Sequence, residues 1–464
     1  MLPGFIGMAN NGDFGKVTGY FCLIPRGAET NFIYFQPAYV WHARNFWDSP
    51  YHSSESALAW VATRLAGATK EGAGFDIRWM GAIHAALFLG ALAVLMAGLR
   101  GTLREMPRWA AAAMAVAPVL IFTDVLYAAN LNSFFMDTAA LCGLMLMTAS
   151  AVWMALEEEP SVVPVSIFAA AALLFATSKV QHAIWMVLPA AWLFASGIRM
   201  KARHLRRFAY GAAIVVLLSG AWMLATVDPS YRGQAMFNLL FYRLGPRGAD
   251  LTSLGVAPQE LRYIGMHSYI PGAPASDQDW TDGFYRRTGF ARLLGWYARH
   301  PGTTLGLIRD TAANDAAEMR QNNLSNFRVE AGHPPGARTQ RFAAWSSLRG
   351  ELLRRWPWHI AVWYALFAAG CLYLGSRVAW VALGVAALGA GEFLAASLAD
   401  CLETARHLLL FQAATDLTLC FAVGWAIHQA IHTGAIHTKA IHTRAIHTGA
   451  IHTGAIQKMI RHTP

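Results

Sequence analysis

Residues 79–99 read WMGAIHAALFLGALAVLMAGL, 21 consecutive positions without an acidic or basic charge. At about 1.5 Å of rise per residue, a helix of this length spans the ~30 Å hydrocarbon layer of a bilayer. Eight further apolar blocks follow the same logic: Trp109–Ala129, Thr138–Leu156, Val162–Ser178, Ala183–Ile198, Phe208–Val227, Trp358–Ser376, Val378–Ala399 and Leu408–Ile427. Hydrophobic residues make up 55% of the 464 positions and charged ones only 14%, which excludes an ordinary soluble domain. The 17 Trp gather at several block ends, where interfacial belts place them. The expected fold is therefore all-α and polytopic, with about nine transmembrane helices. Met1–Ala9 is too short for a tenth span and lacks a basic signal-peptide region, so it reads as the tail of a truncated first helix.

Basic residues in the short loops set the orientation. Arg100, Arg104 and Arg108 share one loop, Arg199, Lys201, Arg203, Arg206 and Arg207 another, and Arg377 marks a third. With nine spans all three fall on the cytoplasmic side, together with the C-terminus. Four units result: residues 1–227, a membrane bundle whose first extracytoplasmic loop covers 10–77; residues 228–357, a mainly helical extracytoplasmic loop domain; residues 358–429, the last membrane helices; and residues 430–464, a cytoplasmic tail repeating Ala-Ile-His-Thr-Gly. The tail histidines recur every five residues, so neither a helix nor a strand gathers them on one face.

Polar residues able to do chemistry collect at the opposite, outer ends of the helices. Asn10-Asn11-Gly12-Asp13-Phe14-Gly15-Lys16 opens the first loop. Asp124, Tyr127, Asn130, Asn132 and Asp137 surround the next outer turn, and Asp124 lies so deep in its block that it should face a cavity or a partner, either as a functional group or within a structural hydrogen-bond network that closes the helical hairpin. Lys179 and His182 interrupt an otherwise apolar run, either snorkelling to the interface or holding a cation for a phosphate head group. Asp400-Cys401-Leu402-Glu403-Thr404-Ala405-Arg406-His407 places Asp400 with Glu403, and separately Glu403 with Arg406 and His407, on neighbouring helical faces; with Glu392 and Asp416 that hairpin carries four acidic groups. The 228–357 segment holds 16 Arg, no Lys and 11 acidic residues, and arginine suits an anionic ligand, although the whole chain is Arg-biased. No CxxC, HExxH or Walker loop is present, and the five Cys form no framework.

The Asn-Asn-Gly-Asp-Phe-Gly stretch, the turn Leu131-Asn132-Ser133-Phe134-Phe135-Met136-Asp137, His300-Pro301-Gly302 and Glu403-Thr404-Ala405-Arg406-His407-Leu408 resemble the GT-C superfamily of polytopic membrane glycosyltransferases. Within it they are similar to bacterial hexose transferases of surface-glycan synthesis. The resemblance implies a bacterial inner-membrane enzyme that moves a hexose from a polyprenyl-phosphate donor to a glycan or lipid acceptor on the extracytoplasmic face. It implies membrane lipids, and no nucleic acid, as partners. Asp13 matches the family's first-loop acidic residue and would be the catalytic base. Asn11, Asp124, Asn132, Asp137, Lys179, His182, Glu403, Arg406 and His407 are the candidate substrate-binding residues, with Lys179, Arg406 or His407 stabilising the leaving phosphate. No cofactor is demanded, and a divalent metal ion through Asp124 or Asp137 stays open. The rival classes are a transporter or flippase using Asp124, Glu392 and Asp416 as intramembrane coupling groups, and a non-catalytic envelope assembly protein.

Overall fold

A computed structural model of the protein describes residues 6–26, 33–43, 51–321 and 324–431. All nine apolar blocks are helical. In chain order the helices used below are α1 (Ser54–Leu65), α2 (Arg78–Glu105), α3 (Arg108–Phe122), α4 (Val125–Leu131), α5 (Met136–Leu156), α6 (Val162–Ala176), α7 (Val187–Arg199), α8 (Arg203–Ala225), α9 (Ala344–Arg355), α10 (His359–Leu374), α11 (Arg377–Ala399) and α12 (Thr404–Ile431). The protein is an all-α polytopic membrane protein. Among the described residues, by length and composition, α2, α5, α8, α11 and α12 each suffice to cross a bilayer, and up to seven spans result if the bent pairs α3–α4 and α9–α10 each count as one. The expected count of nine is reduced because α6 has 15 residues and α7 has 13, about 22 and 20 Å of helix against a ~30 Å layer.

Helix α5 is the axis of the bundle, with most of its residues buried on every side. Its small residues allow close neighbours. A Cβ on Gly143 would lie 3.0 Å from the Ala171 carbonyl of α6, and one on Gly98 of α2 would lie 2.7 Å from Trp153 Cβ. By contrast α2 turns most of its surface outward, as a lipid-facing helix does.

Both bends have local causes. Between α3 and α4 the axis turns by 66°, and Asp124 fills the break. One of its carboxylate oxygens accepts the Leu126 N–H at 2.9 Å and the other the Ser346 N–H at 3.0 Å, so a single side chain caps α4 and the first turn of α9. Between α9 and α10 the axis turns by 105° at Trp356-Pro357-Trp358, where proline cannot continue the α-helical hydrogen bonding. Trp356 and Trp358 remain exposed there, as interfacial aromatics do.

The first loop carries a small antiparallel sheet that the sequence pattern left unassigned, because its strands are only three or four residues long. β1 (Leu23–Pro25), β2 (Ala38–Trp41) and β3 (Gly74–Asp76) pair in that order, with Leu23 opposite Trp41 and Tyr39 opposite Phe75. Tyr39 and Phe75 pack on Phe134, with ring centroids 5.3 and 5.9 Å away, which seats the sheet on the turn before α5. The helix expected over Met1–Ala9 is not found in its described part. Residues 6–9 run without helix, held by hydrogen bonds from Asn132 Nδ2 to the Ile6 carbonyl, from Asn326 Nδ2 to the Gly7 carbonyl and from the Ala9 N–H to the Ser325 carbonyl. The repeats from residue 432 onward lie outside the described residues.

Candidate functional site

The motif at residues 10–16 is shaped by its own side chains. Asn10 Oδ1 accepts the Gly12 and Phe14 N–H groups at 2.8 and 3.2 Å, and Asn11 Oδ1 accepts the Asp13 N–H at 3.0 Å. These Asx turns reverse the chain at Gly12, whose φ of 102° strains any residue with a Cβ. Phe14 is then buried edge-on against Phe134 and Phe135, with centroids 5.7 and 4.7 Å apart. That contact locks the first loop to the turn before α5 and leaves Asp13 beside the first turn of α12.

Arg406 is the hub. Its guanidinium donates to Asp13 Oδ2 at 2.6 Å, Glu403 Oε2 at 2.6 Å and Asp137 Oδ2 at 3.1 Å, and it lies over the Phe135 ring at 4.6 Å. Asn11 Nδ2 donates to both Glu403 oxygens, at 2.5 and 2.6 Å. Glu403 and Arg406 thus meet across three residues, as the helical spacing anticipates. Asp400 precedes the helix in extended backbone and instead reaches His407, 2.7 Å away. Lys16 closes the other side, 2.5 Å from Asp13 Oδ1 and 4.7 Å from the centre of the Tyr231 ring.

A second arm runs through Asp137. Lys179 Nζ and His182 Nε2 each lie 3.3 Å from Asp137 Oδ1, and His182 Nδ1 lies 2.7 Å from Glu392 Oε1. Gln181 Nε2 donates to the other Glu392 oxygen at 2.8 Å. Lys179 is buried, so it does not snorkel; it is spent on a carboxylate. Helices α5, α11 and α12, the 179–182 turn and the first loop therefore converge on one cluster, in which the chemistry of each group is set by its neighbours.

The electrostatics follow from that crowding. Burial pushes Asp13 toward its neutral acid, but the charges of Arg406, Lys16 and Lys179 outweigh it and hold the carboxyl well below the ordinary range. Burial likewise works against the imidazolium of His182, yet Glu392 and Asp137 raise it to about 9. For Asp400, His407 and the Cys401 N–H overcome burial and keep the carboxyl below its usual value.

Of the ten candidate residues, eight join this network: Asn11, Asp13, Asp137, Lys179, His182, Glu403, Arg406 and His407. Two are used elsewhere. Asp124 caps helices, as above, and Asn132 holds the Ile6 carbonyl. Lys16, Gln181, Glu392 and Asp400 belong to the network although sequence reasoning gave them no role in binding. Lys16 and Gln181 sat inside motifs already singled out. Glu392 and Asp400 were visible only as unusual acidic residues whose partners depend on how the helices pack. His300 stacks on Trp296 at 4.2 Å and forms a helix junction in the 228–357 segment.

The acidic groups proposed for ion coupling are compensated. Asp416 sits 2.8 Å from Arg349 and accepts from Tyr127 Oη at 2.6 Å and Trp345 Nε1 at 3.0 Å, Glu392 is paired to His182, and Asp124 is committed to backbone N–H groups. Among the described residues no group of three or more His, Cys, Asp and Glu side chains is arranged to hold a metal ion.

A family model described as the YfdI N-terminal transmembrane domain matches residues 2–443, nearly the whole chain. No curated protein and no solved structure matches it.

Proposed function

The chain belongs to the YfdI N-terminal transmembrane domain family, and on that footing we propose that it is a membrane glycosyltransferase, moving a hexose from a polyprenyl-phosphate donor to a glycan or lipid acceptor. The observation that carries this reading is Arg406 held between Asp13, Glu403 and Asp137. A guanidinium with several carboxylate partners near helix ends can exchange one of them for a phosphate, because both anions fit the same fork. The basic residues of the short loops support a reading in which this face lies outside the cytoplasm of a bacterial inner membrane.

In the reaction, the acceptor hydroxyl oxygen forms a bond to the anomeric carbon while the bond from that carbon to the phosphate oxygen breaks. The bonding electrons leave with the lipid phosphate, and the hydroxyl proton passes to Asp13. Arg406 and Lys179 receive the charge on the phosphate, and Lys16 lies within reach of the same carboxylate. In the resting cluster Asp13 is a weak base, since three cations hold it ionised. A bound phosphate competes for those cations and restores basicity to Asp13, so donor binding arms the base and acceptor binding alone does not.

The test is acceptor-dependent sugar transfer by the purified protein in nanodiscs, supplied with a polyprenyl-phosphate hexose. Transfer that requires both donor and acceptor supports the reading. Donor lipid that merely changes leaflet, with no new glycoside, moves the protein to the flippase class.

A further inference from the structure

Helix α3 stands off the bundle. Of its 15 residues only Ala110 and Phe122 are buried, and it meets α4 at the 66° bend. The gap between α3 and helices α2, α5 and α12 is a cavity of about 580 Å³, walled by apolar side chains such as Phe88, Leu95, Val152, Phe421 and Trp425. On α5 and α12 the wall runs over 145–156 and 417–429, about 17 and 18 Å at 1.5 Å per residue, close to one leaflet of a ~30 Å hydrocarbon layer; on α2 it extends further, over 88–106. Water finds no polar partners among such walls and a void forfeits dispersion contacts, so in a bilayer hydrocarbon fills the space.

The charge at one end says which hydrocarbon. Thr102, Met106, Leu156, Ser376 and Gln429 put a mouth of the cavity where α2, α5 and α12 finish and α11 begins. His428 of α12, which also lines it, lies about 33 Å along the helix from Arg406, so this mouth is at the opposite end of the bundle from the charged cluster. Arg100, Arg104, Arg108 and Arg377 sit exposed in the turns at that end, and none has an ion-pair partner among the described residues. Of the acidic residues nearby, Glu157 accepts from Trp153 Nε1 and the Ser161 N–H, and Glu159 from the Lys201 N–H. Unpaired arginines at the mouth of a gap between membrane helices suit an anionic lipid head group. A donor lipid held through its phosphate by Arg406 would have its head at the other end, so the occupant is a different lipid.

We propose that this cavity binds an anionic phospholipid of the surrounding bilayer, with an acyl chain lying along α5 and α12 and its phosphate at the Arg104–Arg108 rim. The assignment is independent of the transferase reading. Because α5 and α12 also carry Asp137 and Arg406, a lipid that fills the gap braces the helices that hold the cluster together.

The experiment uses the full chain in phosphatidylcholine nanodiscs containing a small fraction of a photoreactive lipid with a diazirine in its acyl chain, either phosphatidylglycerol or phosphatidylcholine, and maps the labelled residues by mass spectrometry. Ala149 and Val152 line the cavity and are only 4% exposed, so annular lipid does not reach them, whereas Leu120 and Leu366, 67 and 68% exposed, report annular lipid. The phosphatidylglycerol probe should label Ala149 and Val152 in clear excess over the phosphatidylcholine probe. Arg104→Gln combined with Arg108→Gln should cut that preference roughly tenfold, since each arginine near the surface attracts anionic lipid. Gly424→Leu should block labelling of Ala149 while leaving Leu366 labelled; a Cβ there meets nothing nearer than Met114 Cε at 3.7 Å, so the variant has room to fold. Labelling confined to Leu120 and Leu366 overturns the site. Equal labelling of Ala149 by both probes, or loss of the label on adding polyprenyl phosphate but not phosphatidylglycerol, overturns the anionic phospholipid as its occupant.

Discussion

Asp13 and Arg406 stand 393 positions apart in the chain and 2.6 Å apart in space. The pairing sets the resting charge of the candidate base and occupies the candidate phosphate grip at the same time. Whatever enters the site must therefore act on both residues together.

Replacing Asp13 by Asn keeps the side chain's size and removes the base. Transfer should fall by roughly 10²–10⁴-fold. Donor affinity should not fall, because Arg406 and Lys16 lose a competitor for phosphate. Turnover and polyprenyl-phosphate binding, measured on the same nanodisc preparation, check this, and near-normal turnover would remove Asp13 from the mechanism.

Arg406 is buried among three carboxylates. Arg406→Ala leaves them uncompensated and should destabilise the protein by about 3–5 kcal/mol. Arg406→Lys keeps the charge but lacks the planar fork. It should fold, with donor affinity and rate both lowered at least tenfold, a pattern expected of a contact made in ground state and transition state alike. A folded Arg406→Lys protein with parental affinity and rate would exclude the phosphate-grip role.

His182 gives a pH signature. Its value in the fold, about 9, lies above its ordinary value, so its pairs with Glu392 and Asp137 stabilise the protein fully below about pH 6.5. That contribution should fade as the pH rises through about 9. Thermal unfolding in detergent should show the decline in the parent protein and lack it in His182→Gln. The depressed carboxyls of Asp13 and Asp400 act oppositely, stabilising above their ordinary range and ceasing to do so in acid.

Asp124 separates structure from chemistry. Asp124→Ala uncaps two helix starts, at about 1 kcal/mol each, so the melting temperature should drop. The affinity for donor should stay, and Asp124→Asn should recover most of the stability. A selective loss of donor binding in Asp124→Ala would place the residue at the site after all.

Orientation is open to a reporter. A fusion after Ile198 should read cytoplasmic and one within Gly272–Gly283 extracytoplasmic, because the basic short loops stay inside. The inverse pattern would put the cluster on the cytoplasmic face, out of reach of the proposed reaction.

The membrane class and the positions of the helical blocks were legible from the sequence, since uncharged runs such as 79–99 have no other economical solution in water or lipid. The short polar stretches were legible too, because charge at a helix mouth is costly and therefore visible. The partners of those charges were not. Glu403 and Arg406 share one helix turn, so local spacing gave their contact, but Asp13, Asp137, Lys179 and His182 come from other elements and meet only when α5, α11, α12 and the first loop pack. The same limit hid the role of Asp124. A deep carboxylate reads alike whether it binds a ligand or caps helices, and only the tertiary fold brings the Ser346 N–H within 3.0 Å of it.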